Sequence, residues 1–207
     1  MIPPAAGLAP AAGVPRRSGD PVPDHFDLVA SFYERVIPPP DPAELVAHLA
    51  LPARGRLLDA GGGTGRVAGA LRPFVDQVVV SDLSLGMLRQ AGRKAGLTAL
   101  RAHAERLPFP DASFERVVVV DALHHFCSQE EAVADLLRVL KPGGRLVIEE
   151  PDVTRFAVKL VALAEKLALM RSRFLTPETI GALAARQGSI AEIRRDDRFR
   201  AWIVVEK

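Results

Sequence analysis

Apolar residues recur along this chain in two rhythms. From position 54 to 150, short runs of Val, Leu and Ala alternate with segments whose apolar positions return every three to four residues. The runs predict strands at RLLDA (56–60), QVVVSD (77–82), LTALRAH (97–103), RVVVVDA (116–122) and RLVIEE (145–150). The segments between them, 66–72, 84–95 and 129–140, predict helices. The Val- and Leu-rich runs do not alternate with polar residues, which suits strands buried on both faces. Strand–helix repetition of this kind predicts a parallel sheet with right-handed crossovers.

The flanks differ. DHFDLVASFYERVI (24–37) has helical spacing and an acidic start, and PPPDP ends it. Asp41 before Pro42 is an N-cap signature for a further helix to about residue 50. The first 23 residues, rich in Pro, Gly and Ala, have little to bury and are expected to be a disordered tail ahead of a single domain over 24–207. After the fifth strand, a long helix over about 153–173 and a shorter one over 177–186 precede strands at 190–195 and 198–205. Only two aspartates separate these last strands, so they are expected to pair as an antiparallel hairpin.

Bulk properties narrow the function. A length of 207 residues fits one domain with a sizeable core. Lys+Arg at 27 nearly cancel Asp+Glu at 25, so no nucleic-acid-coating surface is indicated. The single cysteine, Cys127, fits a reducing compartment. The N-terminus lacks the charged start and apolar core of a signal peptide, and no stretch is apolar enough to span a bilayer. A cytoplasmic location is expected.

The first strand ends in LLDAGGGTGRVAGAL (57–71), where four residues of five from Gly61 to Gly65 are glycine. Such a turn lets a backbone approach a ligand closely. A P-loop needs G-x-x-x-x-G-K-[ST], but Arg66 stands where the lysine belongs, with no hydroxyl after it. A dinucleotide site needs G-x-G-x-x-G; Gly61, Gly63 and Gly65 are instead spaced G-x-G-x-G. S-adenosylmethionine, which has no pyrophosphate, is the remaining reading. Asp59 can accept from its ammonium, and Asp82, about 20 residues on, stands where a ribose diol is gripped in such folds. Asp82 could equally cap the helix that begins near Ser84.

LLDAGGGTGRVA, SDLSLGMLRQA, HAERLPFPDASFERVVVVDALHHF and RVLKPGGRLVIEEP, in that order, resemble consecutive motifs of class I S-adenosylmethionine-dependent methyltransferases. The likeness is to the small-molecule branch that includes the ubiquinone/menaquinone-biosynthesis methyltransferases, and it covers about residues 26–151. It implies a Rossmann-like α/β fold: a seven-stranded, mostly parallel sheet with a C-terminal antiparallel hairpin and helices on both faces. It also implies that Asp59, Gly61, Gly63 and Gly65 frame the methionine end of the donor. Asp82 would hold the ribose, Leu83 and Met87 would wall the adenine, and Ala104 would offer its backbone to the adenine edge. The family often has an aspartate before that alanine; this chain has His103. Tyr33 resembles a lid residue that packs over the donor.

Methyl transfer from a sulfonium needs positioning, and a base where the acceptor must lose a proton. Asp121, His124 and His125 follow the fourth strand, near the methyl, and either histidine is a candidate base. Of Glu149 and Glu150, one is expected to face the acceptor pocket because strand neighbours point oppositely; exposure at the strand end is the competing expectation. His124, His125 and Cys127 match no usual metal spacing, so no metal is expected. The helix over 153–173 has more apolar surface than one core stripe needs. Core packing, a greasy acceptor pocket, a dimer contact and a peripheral membrane-surface contact all account for it.

The expected partner is a small, largely apolar acceptor: a quinol, phenol or lipid precursor. The alternatives are an RNA or protein methyltransferase and a non-catalytic donor-binding regulator. Nucleic-acid amino-methylation is disfavoured because Asp-Ala-Leu-His replaces the Asn/Asp-Pro-Pro-aromatic run. RRDDRFR mixes four arginines with two aspartates and is expected to be a solvated hairpin.

Overall fold

The computed structural model describes residues 42–154, 173–197 and 199–207. The tail, the helix over 24–37, Tyr33, Asp41 and nearly all of the helix expected over 153–173 lie outside the described residues. The described elements are α1 (Ala43–His48), β1 (Arg56–Ala60), α2 (Arg66–Leu71), β2 (Gln77–Asp82), α3 (Leu85–Ala91), β3 (Leu97–Arg101), β4 (Phe114–Val120), α4 (Gln129–Val139), β5 (Leu140–Pro151), α5 (Pro177–Arg186), β6 (Ile190–Arg195) and β7 (Arg200–Glu206). The seven strands form one sheet in the order β3-β2-β1-β4-β5-β7-β6. The first five are parallel, and β7 lies antiparallel between β5 and β6. The expected α/β fold, with its terminal hairpin, is what forms.

Alternation along the central strands divides the core in two. Leu58, Val117, Val119, Leu146 and Ile148 pack against α4 and α5. Leu57, Val118 and Val147 pack with α1, α2 and α3 on the other face. Helices cover both faces because every central strand is apolar on both. Strand order reverses between β1 and β4, so the turns after Ala60 and Val120 flank the crevice where open α/β sheets bind ligands. No helix among the described residues is long and apolar enough to cross a membrane.

Several ends differ from the pattern. β4 runs from Phe114 to Val120 and stops before Asp121, whose φ of 49° turns the chain out of the sheet. β5 begins at Leu140, not at residue 145, with a register irregularity opposite Phe114 and Arg116. α3 stops at Ala91, where Gly92 forms the C-cap. Pro42 occupies the N-cap of α1 without a side-chain bond.

Candidate functional site

The glycine turn leaves β1 with φ of 71°, 55° and 71° at Gly61, Gly63 and Gly65. At Gly61 the need for glycine is steric: a Cβ there would sit 2.6 Å from the Ala122 Cβ and 3.0 Å from the Phe126 ring. The turn therefore runs hard against the segment that follows β4. The N–H groups of its four glycines are committed within the protein. Gly61 and Gly62 donate to the Ser81 carbonyl at 2.8 and 3.2 Å, and Gly65 to Gly62 at 2.8 Å. Gly63 donates to Asp82 Oδ2 at 2.9 Å.

Asp82 also accepts from the Ser84 N–H at 2.8 Å through Oδ1. Ser84 itself caps α3 by accepting from the Met87 N–H at 3.1 Å. Asp82 is thus both a partner of the glycine turn and a brace for the helix start. Met87 is buried, with its sulfur 3.9 Å from the Cβ position of Gly63, while Leu83 is half-buried beside it. Ala104 is buried after β3, and the neighbouring His103 Nδ1 lies 3.8 Å from Glu105.

Asp59 lies beneath the turn, 1% exposed, and accepts from the Ala68 N–H at 3.1 Å. Burial, with a lesser push from Asp82, raises its pKa to about 7. Across the crevice, Asp121 holds the left-handed conformation, and its N–H donates to the Glu149 carbonyl at 3.0 Å. Its side chain reaches solvent, yet desolvation by the surrounding protein, and then Glu150, raises its pKa.

Both glutamates at the end of β5 are buried, which overturns the expectation of exposure there. They point to opposite faces. Glu149 accepts from Trp202 Nε1 at 2.8 Å and from Arg200 at 3.4 Å. Glu150 accepts the Ala122 and Leu123 N–H groups at 3.1 and 2.8 Å through one oxygen. Its other oxygen lies 2.6 Å from His124 Nδ1. The His124 ring stacks on Phe174, with centroids 4.3 Å apart and planes 15° apart. The chain returning at residue 173 is tied to this turn: the Arg173 N–H donates to the His124 carbonyl at 2.8 Å. Gln129 Nε2 bridges the Leu123 and Arg173 carbonyls at 3.0 and 2.6 Å. His125 packs 4.0 Å from His124, centroid to centroid, and burial lowers its pKa to about 4. The structure therefore brings His124, His125, Asp121 and Glu150 together, while the Glu149 carboxylate turns to Trp202 and Arg200 and acts on Asp121 from that side. Sequence patterning missed Gln129, Phe126 and Trp202, whose roles depend on contacts far along the chain.

The arginines of RRDDRFR that are described face carboxylates. Arg194 pairs with Glu192, Arg195 with Asp152 and Glu178, and Arg200 with Glu44, Glu149 and Asp196. Among the described residues no group of three or more His, Cys, Asp or Glu is placed to hold a metal ion.

Residues 58–148 match the family described as a methyltransferase domain. A ubiquinone/menaquinone biosynthesis C-methyltransferase UbiE of Pseudomonas putida is 38% identical over 108 residues, 47% of this chain and 42% of the relative. The protein of the same name from Stutzerimonas stutzeri is 33% identical over 137 residues, 60% of this chain and 54% of the relative. This chain thus spans about half the length of those curated relatives, or less. Among solved structures, a chain of the Haloferax volcanii complex between the Trm112 methyltransferase activator and a methyltransferase superposes with a TM-score of 0.73 at 17% identity. That match covers 90% of this chain and 99% of the other, and it bears on the fold alone. These likenesses are to a methyltransferase domain over residues 58–148 and to UbiE proteins over about half of their length or less.

Proposed function

We propose that this chain transfers a methyl group from S-adenosylmethionine to a small, largely apolar acceptor: a quinol, a phenol or a lipid precursor. The observation that carries the donor reading is the commitment of the N–H groups of the turn's glycines. A dinucleotide fold offers such groups to a pyrophosphate; here those of Gly61, Gly62, Gly63 and Gly65 already go to Ser81, Asp82 and Gly62. Carboxylates at the crevice (Asp59, Asp82, Asp121) suit a cationic donor. When bound, that donor supplies a methyl already activated on a sulfonium.

In this reading the donor-side residues are Asp59, Gly61, Gly63, Gly65, Asp82, Leu83, Met87, Ala104 and Asp121, with Tyr33 as a lid. His124 is favoured over His125 as the base. Glu150 supports His124, whereas the lowered pKa of His125 makes it a weak proton acceptor near neutrality. The acceptor is read as apolar because the segments flanking the core motifs offer Phe26, Phe32, Phe156 and Leu160 and few neutral hydrogen-bonding groups. An apolar pocket rewards buried area at about 25 cal/mol per Å². The names of the UbiE relatives support a quinol. The single cysteine supports action in the cytoplasm.

The test is transfer of a labelled methyl from S-adenosylmethionine to quinols with and without a prenyl tail, phenols and lipid extracts. Faster transfer to the prenylated quinol is expected. Preference for a sugar, nucleotide or peptide would overturn the acceptor. Donor binding with no transfer to any of them would favour a non-catalytic regulator.

A further inference from the structure

The turn after β4 carries a buried ionisable pair that packing alone does not require. Glu150 and His124 are 3% and 5% exposed, and their closest atoms are 2.6 Å apart. Glu150 already accepts two backbone N–H groups from Ala122 and Leu123 through Oε1. The histidine is thus an additional partner, held by the oxygen those bonds leave aside. Buried polar pairs are often no more stabilising than apolar residues of the same volume, so what such a pair specifies is geometry.

The His124 ring is constrained in two independent ways. Phe174 fixes the plane of the ring by stacking at 4.3 Å. Glu150 fixes its rotation within that plane by engaging Nδ1. The backbone on either side is held by the Arg173 N–H on the His124 carbonyl and by Gln129 bridging Leu123 and Arg173. A carboxylate accepts and cannot donate, so an ionised Glu150 selects the tautomer with hydrogen on Nδ1 and puts the basic lone pair on Nε2.

We propose that Glu150 is a positioning residue that holds His124 as the Nδ1–H tautomer, so that Nε2 takes a proton from the methyl acceptor, which is therefore an O–H acid or an acidic C–H such as a quinol or phenol. This deepens the methyltransferase reading above and rests on it. The acceptor's proton goes to His124 Nε2. The electron pair left on its oxygen or carbon forms the bond to the methyl carbon, and the carbon–sulfur pair stays with sulfur as a neutral thioether. The imidazolium formed faces the Glu150 carboxylate and passes its proton to water after the product leaves. Among the described residues, the ionisable groups near this ring include Asp121 at the end of β4 and His125 on the same turn.

The experiment uses the full chain and the substitutions Glu150→Gln and His124→Gln. Glutamine keeps one oxygen for the Ala122 and Leu123 N–H groups, but its amide nitrogen cannot accept from Nδ1. Long-range proton–nitrogen NMR of histidine-labelled protein without donor reports the tautomer directly. The wild type is expected to show Nδ1–H at His124, and E150Q to gain the Nε2–H form while thermal melting shows it still folded. In turnover, E150Q is expected to lower kcat about 10²–10⁴-fold, with the KM for donor within a few-fold and a displaced pH profile. The double variant is expected to be no slower than H124Q alone, as for residues that act as a unit. An Nε2–H tautomer in the wild type, or an unchanged tautomer in E150Q, would overturn the proposal. So would equal kcat in E150Q and wild type. Predicted tautomers in a chain that moves no methyl to any acceptor would support the pair's geometry and overturn the activity it is assigned to.

Discussion

Asp82 accepts the Gly63 N–H at 2.9 Å with one carboxylate oxygen and the Ser84 N–H at 2.8 Å with the other. One side chain at the end of β2 thus sets both the glycine turn and the start of α3, the two walls between which the donor is read to lie. Asp82→Ala removes both contacts. Donor binding is expected to weaken by roughly 2–3 kcal/mol, the worth of charge-assisted bonds lost in a sheltered site. Asp82→Asn, which keeps one acceptor, is expected to fall between. Calorimetry on both variants, with melting curves for the fold, checks this. Wild-type donor affinity in Asp82→Ala would leave Asp82 as a brace for the turn only.

Asp59 carries a pH prediction. Its pKa is raised from 3.8 to about 7, chiefly by burial. The unfolded chain releases this proton near pH 4 and the folded chain near 7, so folding stability falls as pH climbs between those values. The loss is up to about 4 kcal/mol. Asp59→Asn removes that slope and is expected to be the more stable protein at pH 8. Donor affinity is expected to move the other way: it rises through pH 7 in the wild type as Asp59 ionises, and it is lower and flatter in the variant. Denaturant titrations and donor binding at pH 6 and 8 measure both. A wild type whose stability does not fall over that interval would contradict the assignment.

His125 works at the acid end. Burial, then the neighbouring His124, depresses its pKa to about 4. Here the unfolded chain takes the proton first, near pH 6.5, so stability is lost as pH falls from 6.5 toward 4, by roughly 1–3 kcal/mol. His125→Phe is expected to flatten that limb of the stability curve. An acid limb of the same slope in the variant would assign the loss to other groups.

Gly61→Ala is a steric test of the crevice. The new methyl would meet the Ala122 Cβ at 2.6 Å from a backbone at φ 71°. A cost of about 1–3 kcal/mol is expected from the strain and overpacking together. Gly143→Ala shares a positive φ but has nothing within 4 Å of the added carbon, so it is expected to cost less. Equal costs would show that strain alone, without the clash, accounts for Gly61.

Local pattern carried the sheet well and its endings poorly. β1 and β2 fall at 56–60 and 77–82 as read, because unbroken apolar runs between turn residues leave little latitude. β4 shifts by two residues and β5 starts five residues early, because Asp121 turns out of the sheet and the pairing of Phe114 with Leu140 is a long-range matter. Alternation shows that Glu149 and Glu150 part ways. Which of them meets His124 depends on the register that sets Glu149 beside Val120, and residues 26 apart do not reveal that in sequence. The glycine spacing disfavoured a dinucleotide; that the turn's N–H groups are consumed by Ser81 and Asp82 is visible only in the fold.

The most direct measurement is calorimetry on the full chain with S-adenosylmethionine, S-adenosylhomocysteine and NAD in parallel at neutral pH. The account predicts micromolar binding of the first two, weakened by Asp82→Ala, and none of NAD. Micromolar binding of NAD with none of S-adenosylmethionine would contradict it.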